Sequence, residues 1–201
     1  MKKFWLPVLM IISGALMVAY PVVLKGLSVL EQRQLQEDFY SLTVDDIDSG
    51  ETTLPVWESW PPVILKIPVL NVEVFVAAVE DINILDRQLN HPPAHYPGTA
   101  VPGEDGNLVI AGHRGGPAGF FKNVNRLQEG DAIILLTPAA SYHYRVVDIF
   151  ITERNDMSVL ENSPWPMLTL TTCQRVGVDS AAKRLIVTAE LDKVLLEVQR
   201  R

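Results

Sequence analysis

LTLTTCQRVGVDSAAKRLIV, residues 168–187, holds the single cysteine of this 201-residue chain. Two runs rich in Leu, Thr, Ile and Val flank a polar, Gly-containing middle, which reads as two strands and their connection. If the strands pair as an antiparallel hairpin, Cys173 at the end of the first lies beside Arg184 at the start of the second. Successive strand residues face opposite ways. Leu168 and Leu170 then share one face, and Thr169, Thr171 and Cys173 the other; Arg184 and Ile186 share a face opposite Leu185 and Val187. The connection QRVGVDSAAK belongs to the rim, where it shapes a groove. A lone cysteine is by default a small buried hydrophobe. A thiol with a base or cation beside it reacts as thiolate. The stretch by itself leaves both readings open.

Outward from this hairpin the pattern stays that of short strands. VILKIPVLNVEVFVAAV has apolar runs broken by Pro68 and Asn71, and PGEDG at Pro102–Gly106 is a turn that leads into NLVIAGH. DAIILL and YHYRVVDIFI follow as strands, and FFKNVNRL reads as a short helical turn. Many short strands punctuated by Gly and Pro imply a small β-barrel or sandwich. No internal repeat or low-complexity tract is visible.

His113 ends NLVIAGH, with Gly112 before it and Arg114, Gly115 and Gly116 after it. The glycines let the backbone turn sharply and leave room for a ligand. A Cys, a His and an Arg, each at the end of an expected strand, suit acyl transfer. The thiolate attacks, the imidazole passes a proton to the leaving amine, and the guanidinium holds the developing oxyanion. Spacing does not show that the three meet.

The N-terminal part is of another kind. Phe4 to Leu24 is 21 residues without a charge, long enough as a helix to cross a hydrocarbon core of ~30 Å. Lys2 and Lys3 precede it and keep the N-terminus cytoplasmic, while the acidic EQRQLQEDFYSLTVDDIDSGE suits the outer side. The run is longer than the core of a signal peptide and no small-residue cleavage pattern follows Leu24, so a retained anchor is expected. Pro7 and Pro21 are expected near the helix ends. Leu24, Leu27, Leu30, Leu35, Phe39 and Leu42 carry the helix outward, DDIDSGETT is expected as a flexible joint, and LPVWESWPP leads into the domain. Three parts result: cytoplasmic tip and transmembrane anchor over 1–24, stalk over 25–60, and an extracytoplasmic domain over 61–201.

Charge and composition exclude several classes. The net charge is −7 with no basic patch, so no nucleic-acid partner is expected. One cysteine forms no internal disulfide, and His91, His95, His113 and His143 lack ligand spacing, so no metal or cofactor is expected. Glu73, Glu80, Asp81 and Glu104 read as solvated carboxylates.

TLTTC at Thr169–Cys173 fits the TLxTC active-site motif of the sortases, membrane-anchored cysteine transpeptidases. RLIV at Arg184–Val187 resembles the arginine strand that follows it in that family. HYPGTAVPGEDGNLVIAGHR, His95 to Arg114, is similar to the segment leading to the family's histidine. The order of the remaining landmarks also fits: Ile67-Pro68, GDAIILLT, Tyr142 and Tyr144, then Ser158 to Leu160. The resemblance covers about residues 62 to 192.

That resemblance implies an all-β fold, an eight-stranded sortase-type β-barrel with short helices behind one transmembrane helix, carrying a groove for an LPxTG-like sorting signal. It implies Cys173 as nucleophile, His113 as general acid and base, Arg184 as support for the carbonyl oxygen, and Thr172 as a substrate contact. The implied partners are secreted proteins with a C-terminal LPxTG-like signal and an amine acceptor such as a cell-wall precursor. The single anchor, with no Asp-Pro-aromatic lid and a charged C-terminal VLLEVQRR, resembles class D or marine Gram-negative sortases more than pilin polymerases. GGPAGFF follows His113-Arg114 in place of the Asp-Thr common there. The alternative is a non-catalytic, anchored, peptide-binding β-barrel, which would tolerate loss of Cys173. Trp57 and Trp60 either cover the groove, seal the end of the barrel or face the membrane.

Overall fold

The computed structural model describes residues 5–41, 60–88, 90–174 and 183–196. The expected joint at DDIDSGETT, the side chain of Trp57, most of the QRVGVDSAAK connection and the final VQRR lie outside these residues.

A single helix, α1, runs from Trp5 to Ser41. Its first part is apolar all round and exposed on every side, and the helix is long and apolar enough to cross a membrane. Pro21 therefore sits inside the helix and not near an end. The run of Leu, Glu, Gln and Arg beyond it consists of good helix formers, and these carry the helix past the one missing N–H. The outer half of α1 packs on the barrel, with the rings of Phe39 and Phe75 edge to face at 5.9 Å and 71°. The covered stripe is Leu24, Ser28, Glu31, Gln32, Leu35 and Phe39. Leu27 and Leu30, which carry the helix outward, stay exposed.

Eight strands form one sheet, in the order β2-β1-β5-β6-β8-β7-β4-β3. They are β1 (Val63–Ile67), β2 (Val72–Val76), β3 (Ala94–His95), β4 (Gly106–Ala111), β5 (Ala132–Leu136), β6 (Ala140–Glu153), β7 (Pro166–Gln174) and β8 (Lys183–Leu196). The ends of the sheet meet where Ala77 bridges Ala94, so the sheet is a nearly closed barrel. The expected turn at Pro68 to Asn71 is a 3-10 turn, with Asn71 in the left-handed region at φ 51°. FFKNVNRL holds another 3-10 turn over Val124–Arg126. A single helical turn, α2 (Ile84–Arg87), and the two-residue β3 carry no periodic signal in the sequence.

The core follows from strand parity. Leu168, Leu170, Leu185 and Val187 all enter it, together with Val63, Leu65, Ile110, Ile133, Leu135 and Val146. Tyr142 and Tyr144 are fully buried against the PGEDG turn. Gly103 adopts φ +85°, and a Cβ there would collide with the Tyr142 ring. Burial pushes the Tyr144 phenol well above its ordinary pKa, partly offset by its hydrogen bond with the Gly103 backbone. Trp60 stacks on His95 at 4.2 Å and donates from Nε1 to the Val76 carbonyl, 3.3 Å away, packed against the core.

Candidate active site

The hairpin read from the sequence forms in the expected register. β7 and β8 are antiparallel, and Cys173 is the direct cross-strand partner of Arg184. Directly opposed side chains on one face of a sheet lie within ~5.5 Å at Cβ. Here Arg184 Nη1 donates to Cys173 Sγ at 2.7 Å. On its other side Arg184 is opposed by Thr152 of β6. Cys173 is half-buried and lines the groove.

His113 arrives by a different strand. β4 and β7 run parallel, with Ala111 paired to Thr171, and Gly112 N–H donates to the Thr171 carbonyl at 3.0 Å. Two residues past that pair, at the same rim, lie His113 on one chain segment and Cys173 on the other. Thr172 turns its hydroxyl away from the thiol and donates it to the Gly112 carbonyl at 2.7 Å, fully buried. Gly112 is required by packing: a Cβ there would stand 2.7 Å from Phe121 Cδ2. Phe121 N–H in turn donates to the His113 carbonyl at 3.1 Å. GGPAGFF thus fixes the histidine backbone by folding Phe121 under it, and the room beside Gly112 belongs to that ring.

The His113 ring has its Nε2 2.9 Å from the carbonyl oxygen of Gln88. A carbonyl only accepts, so Nε2 carries the proton of this bond. Arg114 donates from Nη1 to Gln174 Oε1, which ties the residue after the histidine to the residue after the cysteine.

His113, Cys173 and Arg184 line one cavity of about 450 Å³. Its floor is the outer face of β4, β7 and β8, with Ala111 and Thr171 between the reactive groups. Ile82 and Leu85 form an apolar wall on one side, and Met157, Val159 and Leu160 another. The second wall is riveted to the floor. Thr169 donates to Asn107 Oδ1 at 2.7 Å, and Asn107 Nδ2 donates to the carbonyls of Val159 and Glu161. The threonines of TLTTC therefore have separate tasks: Thr169 holds a wall, Thr172 holds the histidine loop, and Thr171 faces the groove.

Asp156 also lines the cavity. It accepts from the Ser158 hydroxyl at 2.6 Å, from Thr152 Oγ1 and from Ser158 N–H at 3.0 Å, and these donors hold its carboxyl below the usual range. Among the described residues no cluster of His, Cys, Asp and Glu is placed to hold a metal ion. Trp60 and His95 are not among the residues that line the cavity; Trp60 packs against the barrel core and on His95. No pattern in the sequence marks the Gln88 carbonyl, the Arg114–Gln174 tie or the part of Asp156, because main-chain partners and capping contacts depend on loop paths.

The family profile described as "Sortase domain" matches residues 65–192. Sortase D of Bacillus subtilis (strain 168) is 30% identical over 126 residues, which are 62% of this chain and 60% of that protein. Sortase SrtE1 of Streptomyces coelicolor is 32% identical over 122 residues, 55% of this chain and 35% of that protein. The chain thus matches less than two thirds of the length of either relative. Among solved structures, a Clostridium perfringens Sortase D5 transpeptidase superposes with a TM-score of 0.63 over 85% of this chain and 99% of its own, at 24% identity. Sortase E1 from Streptomyces coelicolor, with a tripeptide in its active site, gives a TM-score of 0.57 over 68% of this chain and 91% of its own, at 27% identity.

Proposed function

The chain belongs to the sortase family, and from that premise we propose that it is a membrane-anchored cysteine transpeptidase acting on LPxTG-like sorting signals. The observation that carries the reading is the Cys173–Arg184 pair at 2.7 Å, in a groove that His113 also lines.

In this reading the Cys173 thiol gives its proton to His113 Nδ1, and Sγ attacks the carbonyl of the signal's Thr. Arg184, already at the sulfur, lies where the new oxyanion forms and donates to it. The C–N bond to the following Gly breaks, and His113 gives the leaving amine a proton from Nδ1. The product is a thioester on Cys173 and a free amino terminus. An incoming amine then gives its proton to His113 Nδ1, attacks the thioester and returns the thiol. The Nε2 bond to Gln88 keeps the ring oriented throughout. The substrate contact proposed for Thr172 is through its main chain, since its hydroxyl is committed to Gly112. The apolar walls suit the Leu and Pro of such a signal, and about 450 Å³ suits a short extended peptide.

The helix from Trp5 anchors the chain, with Lys2 and Lys3 cytoplasmic and the barrel outside. The partners are secreted proteins bearing the signal and an amine acceptor such as a cell-wall precursor. The test is turnover by the full chain in lipid nanodiscs, with a fluorescent LPxTG-like peptide and an oligoglycine amine, read by mass spectrometry. Ligated product in wild type and none in Cys173→Ala supports the reading. Peptide that binds and is returned uncut by wild type overturns it in favour of a binding barrel.

A further inference from the structure

The outer edge of β2 is closed by two different devices. At Ala77, just past the strand, the N–H donates to the Pro93 carbonyl at 2.8 Å and the carbonyl accepts from His95 N–H at 3.0 Å. β3 is only two residues long and extends no further along that edge. At Phe75, the next residue facing the same way, the partner is a side chain. Phe75 N–H donates to Gln32 Oε1 at 2.8 Å, and Gln32 Nε2 donates to the Phe75 carbonyl at 3.1 Å. The primary amide of Gln32 has the donor and acceptor of a peptide group, and it supplies the rung that a third strand residue would have made. An open rung here would leave a half-buried N–H and carbonyl at a sheet edge.

The same face of α1 reaches further. Ser28, one turn earlier, is 3% exposed, and burial raises the Glu31 carboxyl above its ordinary pKa, with the buried His91 as the opposing influence. His91 N–H donates to the Gln88 carbonyl at 3.2 Å, and that carbonyl is also the partner of His113 Nε2. The segment from Ala77 to His95 is thus bounded by the barrel seam, by the helix and by the histidine.

We propose that Gln32 is a positioning residue for His113: by completing the β2 edge it fixes the 77–95 segment whose Gln88 carbonyl orients the imidazole. The helix is then a working part of the catalytic domain beyond its role as a tether. This rests on the transpeptidase reading for its kinetic consequence, but not for its structural one.

The test uses the full chain in nanodiscs, with Gln32→Leu, Gln32→Glu and the exposed neighbour Gln34→Leu as control. Amide exchange at Phe75 and over residues 88–95 and the reaction of His113 with diethyl pyrocarbonate are read on the protein alone. Both are expected to rise in Gln32→Leu and to stay unchanged in Gln34→Leu. Gln32→Glu keeps the acceptor and loses the donor, so it is expected to fall between them. In turnover, Gln32→Leu is expected to lower kcat about threefold to tenfold with KM for the peptide unchanged. Faster exchange at Phe75 alone, with residues 88–95, His113 reactivity and kcat as in wild type, would overturn the proposal and leave Gln32 as an edge cap. Absence of turnover in wild type would count against the transpeptidase reading, while the exchange and modification data would still decide this one.

Discussion

The floor of the groove and its wall at 82–91 are built by opposite means. The floor is three paired strands, with Cys173 and Arg184 set opposite each other by an unbroken register from Met167 to Gln174. The wall is one turn of helix, α2, and a loop, held by scattered hydrogen bonds at Gln88, His91 and Ala77 and by no continuous ladder among the described residues. In the proposed reaction the attacking thiol sits on the part that cannot shift without breaking a ladder, and the proposed acid and base, His113, is oriented by the part that can. Precise sites favour rigid elements, and adaptable contacts favour loops.

Substitutions on the floor should cut rate and spare stability. Cys173→Ala is expected to lose on the order of a millionfold in turnover with a melting temperature close to wild type. Arg184→Ala is expected to cost about a hundredfold to a thousandfold in kcat, as for an oxyanion donor. Arg184→Lys should not restore it, because an ammonium has no planar fork to share between sulfur and oxygen. Steady-state kinetics and calorimetry check all three; a collapse in stability with Arg184→Ala would make the pair structural.

Where the floor holds the histidine loop, stability should fall first. Thr172→Val keeps the shape and leaves the buried Gly112 carbonyl without that donor, an expected loss of about 1–3 kcal/mol by urea unfolding. Gly112→Ala sets a Cβ against Phe121 and is expected to cost about 1–3 kcal/mol, as overpacking does. A Gly112→Ala protein as stable as wild type would mean that the Phe121 ring yields freely.

The smallest effect belongs to the seam. Burial holds the His95 pKa below its ordinary value, against the hydrogen bonds of Ala100 and Thr99. The folded state then binds fewer protons than the unfolded one. Its stability is full above the unfolded histidine pKa of about 6.5 and declines as pH falls below it toward the lower folded value. Urea midpoints at pH 8 and 5.5 should differ in wild type, and the gap should shrink in His95→Asn. An equal gap in both would assign the acid sensitivity to other groups.

What was legible in the sequence tracks the same division. The strands, the Cys173–Arg184 register and the facing of Leu168, Leu170, Leu185 and Val187 follow from period-two patterning and one hairpin. The tie of Thr172 to Gly112 crosses 60 residues, and the Gln88 carbonyl crosses 25. No periodicity encodes such contacts. The covered face of α1 depends on the barrel for a related reason. Its covered side includes Ser28 and Gln32, because the barrel offers an open strand edge and not an apolar surface.

The most direct test of the central claim is intact-mass spectrometry of the full chain mixed with LPxTG-like peptides and no amine, followed by peptide mapping. The account predicts an adduct equal to the peptide minus its leaving fragment, located on Cys173 and released by hydroxylamine. A protein that cleaves these peptides with no adduct, or with undiminished rate as Cys173→Ala, would contradict it.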